Sequence, residues 1–302
     1  MVPATVCTNI GSTKWNRMVL PVLGAGVLFF PTATFGAGQK FEKHFPVKGR
    51  PVVSIQNVAN GRIEVKSVKG LQEVVVNGSQ ISNKIGVDTE QADNRIEVTA
   101  TILEASAPDA ELEENLSLQV PEETELQIKT QSGLIYVEQV MGDMKLESIA
   151  GDIHLKEVSG YIIVHSTGGS LICTLCAGKL EFSSISGNAQ ILQPTLNNVT
   201  LMTTTGNILY DGDFLRTGLY SMRSGKGVVE VRFSGSDSFD LDAKTNLGSL
   251  DNRAEAFLKP DKHGIRSAAS KYAHGLFGSI GSGLAKVELS SFSGTIRILK
   301  RD

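Results

Sequence analysis

Proline is scarce in this chain, at 9 of 302 residues, and cysteine is scarcer still, at 3. Three cysteines exclude a disulfide-dense mini-scaffold. Glycine is plentiful at 31, but with so little proline it fits neither collagen nor a proline-rich linker. An excess of one charge is also missing. Lys plus Arg is 29 against 32 for Asp plus Glu, a net charge of −3. The basic footprint of a nucleic-acid binder is therefore absent, and no nucleic-acid partner is expected. Charged residues at 20% against 41% apolar exclude a disordered chain.

Catalytic and ligand-binding signatures are missing too. His44, His154, His165, His263 and His274 show no i, i+2 or i, i+4 ligand spacing, and no Cys or carboxylate completes a zinc pattern. Ser224-Gly225-Lys226-Gly227 lacks the flanking residues of a phosphate loop, and no Gly-x-Ser-x-Gly elbow is present. Asp240 and Asp242, with Asp237 nearby, and Asp211-Gly212-Asp213 are small acidic groups. They match neither the calcium-solenoid ligand repeat nor an EF-hand, so turn or surface acids are expected. No cofactor, no metal and no enzymatic activity are expected. Asn77-Gly-Ser79, Asn115-Leu-Ser117 and Asn198-Val-Thr200 match glycosylation acceptors, a pattern too short to weigh.

Long apolar runs are absent except for Met18 to Phe30. Lys14 and Arg17 precede this run, and small residues follow it up to Ala37. Basic, apolar, then small is the order of a secretory signal. Its thirteen residues fall short of the ~20 that span a bilayer. Residues 1–37 are expected to be a signal or a retained N-terminal anchor, and the mature chain to be exported to the periplasm, outer surface or medium without a transmembrane domain.

What is present is a repeat. Gly133, Gly151, Gly169 and Gly187 fall 18 apart, and Gly206 follows after 19. Gly142, Gly160 and Gly178 form a second series with the same spacing. Apolar residues sit two and four places after each glycine, as in Ile135 and Val137, Ile153 and Leu155, or Ile208 and Tyr210. Such pairs share one face of a β-strand. A hydroxyl stands three places before: Thr130, Ser148, Ser166, Ser184, Thr203. Strands this short bury a face only if the units stack, so that equivalent residues form columns along a shared core. Glycine is expected at the corners, either for φ > 0 or for close approach of stacked backbones. The expected fold is all-β, a parallel β-solenoid with coils of ~18 residues, about 4.8 Å apart. Residues 38–130 form a less regular β lead-in, and 131–302 the regular solenoid. Residues 252–283 break the period and are expected to project as a loop or irregular coil; the acidic stretch Glu104 to Glu114 is expected to be a surface loop. The whole of 38–302 is expected to be one continuous domain.

The unit Thr130-Gln-Ser-Gly-Leu-Ile-Tyr-Val137, the closing Leu289-Ser-Ser-Phe-Ser-Gly-Thr-Ile-Arg-Ile298, and the opening Phe45-Pro-Val with Asn60-Gly-Arg-Ile-Glu-Val65 resemble the bacterial putative-adhesin family. Its members are exported β-helical domains long catalogued as of unknown function. The resemblance spans roughly residues 41–302 and implies fold more strongly than function.

Two further features bear on function. Cys173-Thr-Leu-Cys176 has redox-motif spacing, but Cys173 falls in the column of Val137, Leu155 and Ile191, and Cys176 in that of Val140 and Val158. Residues three apart in an extended strand are ~10 Å apart, too far for a disulfide without a bend near Ala177-Gly178. Buried free thiols are the expectation. Tyr136, Tyr161, Ile163 and Ile172 fall on outward positions. They form either an apolar-aromatic stripe that binds glycan or surface protein, or cross-strand packing; Tyr136, Tyr161 and Ile163 are the candidate binding residues. The expected function is a non-enzymatic surface interaction of the bacterial envelope, such as adhesion. A carbohydrate-active enzyme and a purely structural scaffold are the alternatives.

Overall fold

The computed structural model describes residues 40–80, 82–254, 258–259, 266–270 and 273–301. Residues 1–37, with Cys7, and also Pro260 and His263, lie outside the described residues.

The lead-in comprises β1 (Lys40–Pro46), β2 (Val52–Asn57), β3 (Arg62–Ser67), β4 (Glu73–Gln80), β5 (Ile85–Ala92), β6 (Arg95–Ile102) and β7 (Glu114–Val120). The regular array runs through β8 (Glu125–Thr130), β9 (Leu134–Glu138), β10 (Met144–Ser148), β11 (Asp152–Lys156), β12 (Ser159–Ser166) and β13 (Leu171–Thr174). It continues through β14 (Ala177–Ser184), β15 (Ala189–Leu192), β16 (Thr195–Thr203), β17 (Ile208–Asp211), β18 (Leu219–Ser224) and β19 (Val229–Phe233). The last segment holds β20 (Phe239–Thr245), β21 (Ser249–Asn252), β22 (Leu258–Lys259), β23 (Arg266–Ser270), β24 (Ala273–Ile280), β25 (Ala285–Ser291) and β26 (Thr295–Lys300).

Each coil contributes one strand to each of two facing sheets, of 12 and 14 strands. The fold is therefore a flattened, two-sheeted parallel β-solenoid. The period of 18 sets the register directly. Ile135, Ile153, Leu171, Ala189, Ile208, Val229 and Ile296 pair in line across the first sheet. Leu126, Met144, Ile162, Leu180, Val199, Tyr220 and Val287 do so across the second. All of them are buried between the sheets, and burial of such columns is the main favourable term in the stack. Between Gly206 and Gly227 the coil is longer, and its extra loop returns Phe214 to the core against Tyr210, Tyr220 and Phe239 at centroid distances of 5.0, 4.6 and 4.6 Å.

Gly133, Gly151, Gly169, Gly187 and Gly206 do line one corner, but φ is positive only at Gly133. At the others the requirement is contact. A Cβ on Gly151 would stand 2.5 Å from the Gly133 carbonyl oxygen, and a Cβ on Gly169 would overlap that of Gly151. The same relation continues through Gly227, Gly294 and Gly248. The corner hydroxyls tie the coils together. Ser224 Oγ accepts from the Gly227 N–H and donates to the Gly206 carbonyl of the adjoining coil, both at 2.8 Å. Thr203 bridges the Gly206 N–H and the Gly187 carbonyl in the same way, at 3.0 and 3.1 Å.

At the opposite corner the turn is made by side-chain-bearing residues in the left-handed region: Gln139, Glu157, Leu175 and Gln193, with φ of 59, 54, 56 and 49°. This corner corrects the expectation of free thiols. Leu175 curls the chain between Cys173 and Cys176, which reduces their Cα separation to 6.0 Å, and the two form a disulfide. The reasoning from an extended strand fails because β13 ends at Thr174, before the bend, and the bend lies at Leu175 rather than at Ala177-Gly178. Both sulfurs remain in the buried columns, where neighbouring coils place Val137 with Val140 and Leu155 with Val158. A chain with Cys173→Val and Cys176→Val together should keep the fold and lose at most about 2 kcal/mol, because so short a loop gains little from closure. Denaturant melts measure this, and mass spectrometry of the native wild type should show neither Cys173 nor Cys176 open to alkylation.

One of the two segments expected to be loops is largely strand. Within 252–283, β24 is an ordered strand antiparallel to β20, with β22 and β23 paired to it. It covers the end of the second sheet. The acidic stretch from Glu104 is a largely exposed loop with one short 3-10 turn at Asp109–Glu111, as expected, but its last residue, Glu114, is fully buried at the start of β7.

The coils do not stack in chain order at either end. β2 lies between β6 and β8, and β3 between β7 and β9. Likewise β25 lies between β18 and β20, and β26 between β19 and β21. Each end is thus built by inserting one coil between two others.

Candidate functional site

The candidate binding residues do not share a face. Tyr136 lies on β9 in the first sheet, beside Glu64 and His154. Tyr161 and Ile163 lie on β12 in the second sheet, beside Lys179 and Glu181. The single stripe expected from alternation is therefore corrected: alternation marks outward positions but does not say which sheet carries them. Each ring has a cation beside it from an adjacent strand, Arg62 at 5.1 Å from the centroid of Tyr136 and Lys179 at 4.3 Å from that of Tyr161. Around Tyr136 the outer face is a ladder of ion pairs. Lys156 and Lys66 reach Glu138 at 2.7 and 3.7 Å, and Lys156 holds the Glu138 carboxyl below its usual range.

The acidic groups are spent within the protein. Arg301 binds Asp211 at 3.3 Å and Asp213 at 2.5 Å, and Arg232 approaches Asp211 at 3.6 Å. Asp237 accepts the Ser234 and Phe214 backbone N–H groups at 3.0 and 3.3 Å; burial, with the Asp213 charge nearby, pushes its carboxyl up to about 6. Asp240 accepts the Ser279 hydroxyl, and Asp242 the Lys244 ammonium, each at 2.6 Å. Among the described residues no three His, Cys, Asp or Glu side chains converge as a metal site. His154 is half-buried on an outer face, while His165 and His274 are exposed; His44, between Glu42 and Glu73, has its pKa raised first by Glu73.

A different surface stands out. The two residues after each corner hydroxyl form a narrow edge along the stack: Gln131-Ser132, Ile149-Ala150, Thr167-Gly168, Ile185-Ser186, Thr204-Thr205, Gly225-Lys226, Phe292-Ser293 and Asn246-Leu247. Lys226 is its one charged residue. Ile149, Ile185, Phe292 and Leu247 are 55, 58, 56 and 61% exposed, so large apolar side chains recur along the edge, the first three at the place just after the hydroxyl and Leu247 one place later. The edge is rigid, because backbone bonds join its coils. The Gly168 N–H donates to the Ile149 carbonyl at 2.8 Å, the Thr205 N–H to the Ile185 carbonyl at 2.9 Å, and the Leu247 N–H to the Phe292 carbonyl at 2.7 Å. The periodic frame contains the clue to this edge: the residue after the hydroxyl is apolar in Ser148-Ile149, Ser184-Ile185 and Ser291-Phe292.

Fold and surface together define a β-solenoid whose coils present continuous outer faces. The chain belongs to the Toastrack DUF4097 family, whose profile matches residues 57–299. No curated protein matches the chain. Three solved structures match the chain. A putative adhesin from Bacteroides fragilis NCTC 9343 shares 13% identity, covering 86% of this chain and 97% of that one, with a TM-score of 0.49. A putative cell adhesion protein from Clostridium sporogenes ATCC 15579 shares 10% identity over 87% of this chain and 100% of that one, with a TM-score of 0.28. A putative adhesin from Parabacteroides distasonis ATCC 8503 shares 10% identity over 87% of this chain and 98% of that one, with a TM-score of 0.29.

Proposed function

We propose that the protein is an exported, non-enzymatic surface-interaction protein, an adhesin of the bacterial envelope, and that the edge from Gln131 to Leu247, uncharged but for Lys226, is its contact surface. The observation that supports this reading is the recurrence of exposed Ile149, Ile185, Phe292 and Leu247 along an edge fixed by coil stacking. Eight coils make the edge roughly 34 Å long. Two residues per coil fall short of the ~20–30 that each partner gives to a standard protein–protein interface. Repeated weak contacts with an extended, uncharged surface suit it better, with avidity in place of a pocket. The disulfide supports export, since such bonds persist in oxidising compartments, and so does the apolar segment Met18 to Phe30.

The test is retention of the full chain on surfaces coated with envelope polysaccharides and matrix proteins. A double change of Ile149→Lys and Ile185→Lys should lower retention at least tenfold. Stability should change by no more than about 0.5 kcal/mol per site, because both side chains are mostly in solvent. Equal retention of the variant would move the contact surface elsewhere. A wild type retained by no surface would favour a scaffold over an adhesin.

A further inference from the structure

We propose that a depression on the outer face of the first sheet, where β4, β7 and β3 meet, is a binding site for a neutral pyranose sugar. The site is separate from the apolar edge, so its failure would leave that reading standing. Three registers assemble it. Antiparallel pairing of β4 with β7 sets Asn77 opposite Ser117 and Ser79 opposite Asn115, and parallel pairing of β7 with β3 sets Ser117 beside Glu64. Further along the same row the outer positions carry larger side chains, Tyr136, His154, Ile172 and Gln190. Short side chains at Ser79 and Ser117 therefore leave a hollow of about 320 Å³, walled by Arg62, Glu64 and Lys40. The backbone around Phe41 and Gly78 forms part of its floor; the Phe41 ring lies on the core side of the sheet, seated where a side chain on Gly78 would be.

The hollow holds unused hydrogen-bonding capacity. Asn115 is committed: its carboxamide oxygen accepts the Arg62 backbone N–H at 2.9 Å, and its nitrogen donates to Glu113 at 3.1 Å. Among the described residues, the side chains of Asn77, Ser79 and Ser117 carry no such bond. Two hydroxyls and a carboxamide offer donors and acceptors in near-equal number, which matches adjacent sugar hydroxyls. Charge narrows the class. The Glu64 carboxylate in the wall disfavours a phosphate or an acidic sugar, and Arg62 and Lys40 disfavour a cation.

The full chain should be retained on at least one of immobilised galactose, glucose, mannose or N-acetylglucosamine, and released by the same free sugar. Ser117→Leu, at an exposed position, fills the hollow and should cut retention at least tenfold without lowering the melting midpoint. Asn77→Ala, which removes the central carboxamide but no backbone contact, should cut it at least fivefold. The Ile149→Lys, Ile185→Lys chain should bind the sugar as the wild type does. Retention on none of the four sugars, equal retention of Ser117→Leu, or competition by inorganic phosphate in place of sugar would each overturn the proposal.

Discussion

Gly169→Ala should cost about 3 kcal/mol or more, whereas Gly168→Ala beside it should change stability by less than about 1 kcal/mol. A Cβ on Gly169 would overlap the Gly151 carbonyl oxygen and stand 2.6 Å from its carbonyl carbon. Those are backbone atoms held by a ladder on both sides, so they yield only if the coils part. A Cβ on Gly168 would lie 3.6 Å from both the Ile149 carbonyl oxygen and Ser186 Oγ, an ordinary contact. Neither glycine has positive φ, so the pair separates close approach from backbone freedom. Denaturant melts of both variants decide the matter. Equal midpoints would mean that the corner can widen and that the glycines are not needed for stacking.

Raising the pH from 4.5 to 7 should destabilise the wild type through Glu114, and Glu114→Gln should remove that loss. The corner ladder ends at this residue: a Cβ on Gly61 would overlap the Glu114 carbonyl oxygen. The side chain is fully buried, and neither carboxylate oxygen has a hydrogen-bond partner of good geometry. Burial pushes the carboxyl up to about 7 from 4.5, against a smaller lowering by the Ser79 backbone. A raised acid pKa means that the folded state holds a proton the unfolded state has released. Stability from this group is thus complete below pH 4.5, falls between 4.5 and 7, and is flat above. The fall amounts to at most about 3 kcal/mol. The stability difference between Glu114→Gln and the wild type should grow in favour of the variant over that window. Parallel pH profiles for the two chains would show that Glu114 ionises freely in the fold.

The stacked core was legible because spacing and strand geometry share one ruler. A period of 18 with apolar residues at alternate places can bury its face only by placing Ile135 on Ile153 on Leu171. Three things were hidden. The second corner uses Gln139, Glu157, Leu175 and Gln193, four residues without glycine's mark, so the bend that joins Cys173 to Cys176 leaves no pattern. The inserted end coils depend on which strand edges meet, and Gly61 and Gly294 look like any other repeat unit. The division of Tyr136 from Tyr161 and Ile163 depends on which half of a coil each occupies. The apolar edge was half legible: Ile149, Ile185 and Phe292 follow corner hydroxyls, but their exposure depends on a turn too narrow to bury them.

The insertion of one coil between two others at each end has a mechanical consequence. Solenoids with coils in chain order can be peeled from a terminus, one coil at a time, because the outermost coil is also the last. Here a pull on Lys300 acts on β26, which is bonded to β19 on one side and β21 on the other, so two ladders must shear together. Loss of the outer β20–β21 coil frees no tail either. It opens a loop whose two ends stay anchored, and a closed loop gains less entropy than a free end. Load applied through the last coil is thereby shared with the body of the stack, a property that would serve the adhesive role proposed above.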